Sequence, residues 1–326
     1  MVYLVAISVD AASEILLNFY FVIPSEVLDT ISRVVVSEAP NEVTMKNPPE
    51  TFYDEYTREE LIALYSEDDD SYVLSRGIAA GEMTGEVTVT FFDNSENGGK
   101  KINIHDYVSG EVKDHVVRMA IDYPKRMLGR NNAKLKAMCT AMVTFGGYAQ
   151  TYFGVSGTGL AYEVLDEFDI DVPDLSTVDT SGVKPLEKSG RNIGLTYNGQ
   201  KVILDSVISL KTYFKLDKPM TLAEVKRNYT FELSVENDNF PINNRLVIDE
   251  ENGEIVVRIE EIPPAYWDRE YKITITKKST GETYQVTSTV NAYIDRMIKS
   301  SKDENLKNVL KSMYLYNQAA NAWFNK

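Results

Sequence analysis

The stretch MYLYNQAANAWFN at residues 313–325 repeats, in pattern, the stretch MVTFGGYAQTYFG at residues 142–154. Placing Leu135 over Leu306 carries the alignment without a gap to Phe153 over Phe324, with Lys136 on Lys307, Met142 on Met313 and Ala149 on Ala320. Few residues are identical; the apolar spacing is what recurs. Leu135, Met138, Met142, Phe145, Ala149 and Tyr152 answer Leu306, Val309, Met313, Tyr316, Ala320 and Trp323. Alternating steps of three and four put such residues on one stripe of an α-helix, the stripe a helix buries against a core. A chain that carries this stripe twice is expected to fold as two like units.

Length agrees, because 326 residues exceed what one core usually holds. Upstream of each long helix lies a shorter helical segment, DYPKRML and AYIDRMI, with Arg126 and Met127 answering Arg296 and Met297. Short polar joints, GRNNAK and KSSKDEN, predict an antiparallel helical hairpin in each unit. Before the hairpins the period changes to two. GEVTVTFFD and REYKITITK alternate apolar and polar residues, as half-buried antiparallel strands do, and ENGG and STGE supply turns where Gly takes positive φ. EILLNFYFVI and VISLKTYFKL read as the corresponding earlier strands.

The fold class that follows is α+β: two duplicated modules, each an antiparallel Ig-like sandwich followed by a C-terminal helical hairpin. The expected division is a first module at 1–154 with an insertion at about 45–72, an acidic linker at 155–184 rich in Gly, Asp, Ser and Pro, and a second module at 185–326. One short helix, AYEVLDEF, is expected within the linker. In the insertion, Thr57 followed by Glu60 is a helix-start signal for TREELIALY.

The paired features resemble a module of large secreted or surface-anchored proteins of gut Clostridia, of the Ruminococcus type. The shared pattern is a strand ending in FYF or YF (Phe19 to Phe21, Tyr213 to Phe214), then an Ile-Ala/Pro-Ala/Pro segment (Ile78 to Ala80, Ile262 to Pro264). A Tyr-x-x-Arg-Met helix follows (Tyr123 to Met127, Tyr293 to Met297), and then the long helix. The resemblance covers most of the chain outside the linker and insertion. It implies a secreted or cell-surface location in a Gram-positive bacterium and membership of a larger surface protein; it supplies no catalytic motif. Gly146 and Gly147 depart from the second copy, where Asn317 and Gln318 stand, and glycine inside a helix costs about 1 kcal/mol relative to Ala.

Charge narrows the partners. Against 49 acidic side chains stand 34 basic ones, a net charge of −15, which disfavours nucleic acid and anionic membrane surfaces. The longest apolar runs, such as MVYLVAISV, are too short to span a bilayer, so no membrane insertion is expected. A single cysteine forms no internal disulfide and leaves the redox compartment open.

No stretch names a reaction. Cys139 aligns with Leu310 and reads as a packing position. His105 and His115 lack the close companions zinc wants. Neither a G-x-S-x-G elbow nor a Gly-rich phosphate loop occurs. Asp68, Asp69 and Asp70 suggest calcium weakly; without an EF-hand spacing they read first as a solvated loop. No catalytic residue and no cofactor is therefore assigned. What remains is recognition of a host protein or glycan, with a structural spacer as the alternative and an accessory domain of a secreted hydrolase behind both. Aromatics without a counterpart in the other copy carry no repeat-enforced packing role, which selects Phe52, Tyr53, Tyr56 and Tyr65 in the insertion. Tyr266 joins them as an exposed ring, and Trp267 as its neighbour, although Trp267 aligns with Met83.

Overall fold

The computed structural model describes residues 1–10, 15–39, 52–96, 98–155, 157–204, 208–235 and 246–324. It is a mixed α+β protein with several mainly antiparallel sheets. The chain divides into two compact units, the first ending at Pro173 and the second beginning at Asp174.

In the first unit the elements run β1 (Val2–Asp10), β2 (Leu16–Val22), α1 (Ser25–Leu28), β3 (Ile31–Ala39), β4 (Phe52–Thr57), α2 (Arg58–Ala63), β5 (Tyr65–Ser66), β6 (Ser71–Gly77) and β7 (Glu86–Asp93). They continue with β8 (Ile104–Asp106), β9 (Glu111–Lys113), β10 (Val116–Arg118), α3 (Asp122–Leu128) and α4 (Ala133–Tyr152). One sheet has the order β5-β6-β2-β1-β8-β9 and the other β10-β7-β3-β4. Strand alternation turns Phe19 and Phe21 of β2 and Val87, Val89 and Phe91 of β7 into the core. Phe21 and Phe91, from different sheets, meet edge to face at 5.0 Å, so the sheets pack face to face.

Helix α4 starts on Asn132, whose side chain accepts from the Leu135 N–H at 3.1 Å. Met138, Met142, Phe145 and Ala149 are buried as the stripe requires. Here the linker reading needs correction. Ala161, Val164 and Leu165, in a 3₁₀ segment at Ala161–Phe168, are buried, and the Ala161 N–H donates to Gln150 Oε1 of α4 at 2.7 Å. These apolar residues pack the segment onto the first unit despite its linker-like composition. The insertion is likewise built into the fold. Strand β4 pairs with β3 from Arg33↔Thr57 to Glu38↔Phe52, and Thr57 forms the capping box with Glu60 that starts α2. Residues 45–51 lie outside the described residues.

The second unit runs β11 (Glu187–Gly190), β12 (Leu195–Leu204), β13 (Ile208–Leu216), α5 (Leu222–Asn228), β14 (Tyr229–Val235), β15 (Leu246–Glu251), β16 (Glu254–Ile259), β17 (Tyr271–Lys277), β18 (Thr283–Ser288), α6 (Val290–Ser300) and α7 (Glu304–Phe324). Its sheets have the orders β12-β13-β16-β15 and β11-β18-β17-β14. Phe214, Ile255 and Val257 of one sheet share a core with Tyr229, Ile275 and Val286 of the other. Gly281, at φ +73°, makes the β17–β18 turn. Thr289 caps α6 by accepting from the Ala292 N–H at 2.7 Å. Val309, Met313, Tyr316 and Ala320 bury the stripe of α7. Residues 174–184 belong here: Leu175 is buried and Thr180 Oγ1 donates to Asp295 Oδ1 at 2.6 Å.

Candidate functional site

Strand β1 alternates: Val2 and Leu4 turn inward and are fully buried, while Tyr3 faces outward. Tyr3 sits opposite Val22 of β2. On its other side β8 runs parallel, bringing His105 beside Tyr3, and β9 sets Val112 opposite His105. The row Val22–Tyr3–His105–Val112 thus crosses four strands on the outward face. Tyr107, just past β8, stands two positions beyond His105 and brings its ring beside it. Its ring stacks on His105 at 4.4 Å with planes 19° apart, and on Tyr3 at 6.0 Å and 22°. Tyr107 is 59% exposed, so much of the stacked ring meets solvent.

The backbone holds this arrangement from beneath. The Tyr107 N–H donates to the Leu4 carbonyl at 2.9 Å, and the Gly110 N–H to the Asp106 carbonyl at 2.7 Å. Asp106 points inward, and its carboxylate accepts from the Val108 and Ser109 N–H groups, the Ser109 hydroxyl and the Arg118 guanidinium. Burial raises the Asp106 pKa, but the hydrogen bonds from Ser109 and Arg118 and the guanidinium charge outweigh it, holding the carboxyl below its usual value. A loop tied at Asp106 anchors the Tyr107 backbone, so a ligand that covers the ring immobilises little that was free.

The residues singled out from the sequence are dispersed. Phe52 opens β4 opposite Glu38. Tyr53 and Tyr56 fall on opposite faces of that strand, because three positions apart is an odd step on a period-two chain. Tyr53 is 56% exposed and donates to Glu55 Oε2 at 2.9 Å. Tyr56, opposite the buried Val34, is half-buried, and burial raises its phenol pKa. Tyr65 sits in the other sheet, 5.2 Å from the Tyr72 ring, its hydroxyl donating to Asp70 Oδ1 at 2.5 Å. Tyr266 is half-buried beneath the Arg269 guanidinium at 5.3 Å.

Trp267 leaves the set of ligand-facing rings. It is fully buried, donates through Nε1 to the Ile262 carbonyl at 2.9 Å, and meets Tyr316 edge to face. Asp68, Asp69 and Asp70 occupy the exposed turn before β6, where Asp69 accepts from Ser66 Oγ at 2.8 Å. Among the described residues no group of three or more His, Cys, Asp or Glu side chains is placed to hold a metal ion, and no helix is long and apolar enough to cross a membrane. His115 Nδ1 lies 2.6 Å from Asp114 Oδ1. Cys139 is fully buried, and burial pushes its thiol up to about 12.

The sequence pattern singled out neither Tyr3 nor Tyr107, and raised His105 for zinc alone, because a three-residue parallel strand with distant partners leaves no periodic trace. The alternation of VYLVAISV, read as one sheet face, was the available signal. No family model matches the chain, and no curated protein matches it.

Proposed function

We propose that this chain is a non-catalytic recognition module of a larger secreted or cell-surface protein, and that it takes a glycan on the Tyr3–His105–Tyr107 platform. The module reading rests on duplication of an Ig-like sandwich closed by a helical hairpin. Several correspondences support it. The strand order β6-β2-β1 is matched by β16-β13-β12, and β10-β7-β3 by β18-β17-β14. In each unit a 3₁₀ turn, at Ala80–Glu82 and Pro264–Tyr266, leads into a fully buried Met83 or Trp267. The long helix then bonds the next residue: Gln150 Nε2 donates to Thr84 Oγ1 at 2.7 Å, and Asn321 Nδ2 donates to Asp268 Oδ2 at 2.9 Å.

The observation that carries the glycan reading is the Tyr107 ring, 59% exposed and stacked with His105 and Tyr3. A pyranose presents a face of C–H groups that packs against such a ring, whose face carries partial negative charge. Exposed apolar neighbours Val22 and Val112 extend the surface on either side. The spacer alternative is favoured by a different observation: matched residues of the long helices such as Met142 with Met313 and Ala149 with Ala320 are packed in the interior. A glycan and host-protein array with the intact chain separates the two. The Tyr107→Ala variant should lose an array-identified glycan at least tenfold in Kd, about 1.4 kcal/mol, with an unchanged melting temperature. An array hit that binds the folded variant equally well refutes the platform, and an array without any hit favours the spacer.

A further inference from the structure

One end of the second unit carries a charge opposite to that of the whole chain. A groove of about 880 Å³ opens there between the loop around Ile193, the segment from Asp217 to Met220, α5 and the end of β17. Its lining holds four cations, Lys218, Arg227, Lys277 and Lys278, and one carboxylate, Asp217, in a chain with 34 basic and 49 acidic side chains. Chance placement from that composition would give the reverse balance. Asp217 is engaged already: its Oδ2 accepts from Asn192 Nδ2 at 3.0 Å. Lys278 Nζ donates to the Lys226 carbonyl at 2.9 Å, which leaves two of its three donors for a ligand. Among the described residues Arg227 has a loose 3.9 Å approach to Glu224 on its own helix, and its side chain is 72% exposed. Glu282 lies outside the lining, and its carboxylate accepts from Thr280 Oγ1.

We infer that this groove is an anion-binding site, and that its ligand is an acidic polysaccharide bearing sulfate or carboxylate groups. Cations that reach an open groove from three separate segments suit charges repeated along a chain better than one compact anion. The remaining lining is amide, hydroxyl and apolar surface, from Asn192, Asn228, Ser279, Pro219 and Met220, which suits sugar hydroxyls and C–H faces. Nucleic acid fits less well: the one aromatic ring in the lining, Tyr229, is 4% exposed and offers no stacking face for a base. The net charge of −15 repels any polyanion at long range, so binding is local and steeply dependent on salt.

The experiment measures Kd for the intact chain with four probes: a heparin-derived oligosaccharide, an oligogalacturonide, poly-glutamate and a single-stranded oligonucleotide, each at two salt concentrations. The first two probes distinguish sulfate from carboxylate. The variant K218Q/R227Q/K278Q removes three exposed cations from the groove, and K100Q/K134Q/K302Q removes three exposed cations elsewhere. Circular dichroism and melting temperature establish that both fold. The site is supported if an acidic oligosaccharide binds, weakens at least tenfold in the groove variant, and keeps its affinity in the control variant. It is overturned if neither oligosaccharide binds, if both variants weaken equally, or if poly-glutamate or the oligonucleotide binds more tightly. Tyr107→Ala lies in the other unit and should leave this binding unchanged, so failure of the platform and failure of the groove are separate results.

Discussion

Midway along α4 stand Gly146 and Gly147; at the aligned place in α7 stand Asn317 and Gln318. The two helices share a stripe and differ by one residue in length, yet they are covered differently. A Cβ built on Gly147 would lie 2.0 Å from the Tyr162 ring, and one on Gly146 would lie 2.6 Å from Met83 Sδ and 3.2 Å from the Ala80 carbonyl oxygen. In α4 the glycines make room for the segment 161–168, which lies across a second face of the helix. In α7, Asn317 is buried and bridges two neighbours, accepting from Asn291 Nδ2 at 2.8 Å and donating to the Pro264 carbonyl at 2.6 Å, while Gln318 is exposed. One helix accommodates its surroundings by losing side chains and the other by hydrogen-bonding across the same place. Glycine in a helix is therefore a weak guide to helix stability until what lies over it is known.

Three measurements sharpen or break that contrast. The largest effect is expected for Asn317→Ala, which leaves the buried Asn291 amide and the Pro264 carbonyl without this partner. Denaturant unfolding of the second unit should fall by about 3 kcal/mol, since each buried polar group that loses its partner costs about 1–3 kcal/mol. A loss below about 1 kcal/mol would mean that the bridge contributes nothing beyond packing. Next comes Gly147→Ala. Propensity alone predicts a gain of about 1 kcal/mol, but overpacking against Tyr162 should turn this into a loss of about 2 kcal/mol. The surface control Gln318→Ala should stay within about 0.5 kcal/mol. A stabilised Gly147→Ala protein would show that Tyr162 does not pack on α4. The smallest effect concerns Cys139, aligned with Leu310. With its thiol at about 12, roughly one part in ten thousand is thiolate at pH 8. A thiol reagent should therefore label native protein only as fast as the first unit unfolds, and rapid native labelling would contradict this packing.

Periodicity made much of the fold legible, because burial of one face imposes the same spacing wherever a helix or strand meets a core. The stripes of α4 and α7, the Thr57–Glu60 start of α2 and the strands β7 and β17 were readable on that ground. Alignment of Cys139 with Leu310 pointed inward, as found; Trp267, chosen as a ligand-facing ring although it aligns with Met83, is buried like its counterpart. Composition misled at 155–173, where Gly, Asp and Ser disguised a segment whose few apolar residues are enough to hold it on α4.

The amino-acid sequence by itself determined which faces of its helices and strands are apolar, where its helices start and how strongly acidic the chain is, because these follow from residue type and spacing along a single element. Only the tertiary structure decided which of its many tyrosines share a surface. Tyr53 and Tyr56, near neighbours in the chain, are parted by the strand pleat. Tyr3 and Tyr107 come together only because β8 returns in parallel beside β1. The cationic groove, too, is assembled from separate segments of the second unit. Side-chain proximity across a sheet depends on pairing and register, and neither is written in the local period of either strand.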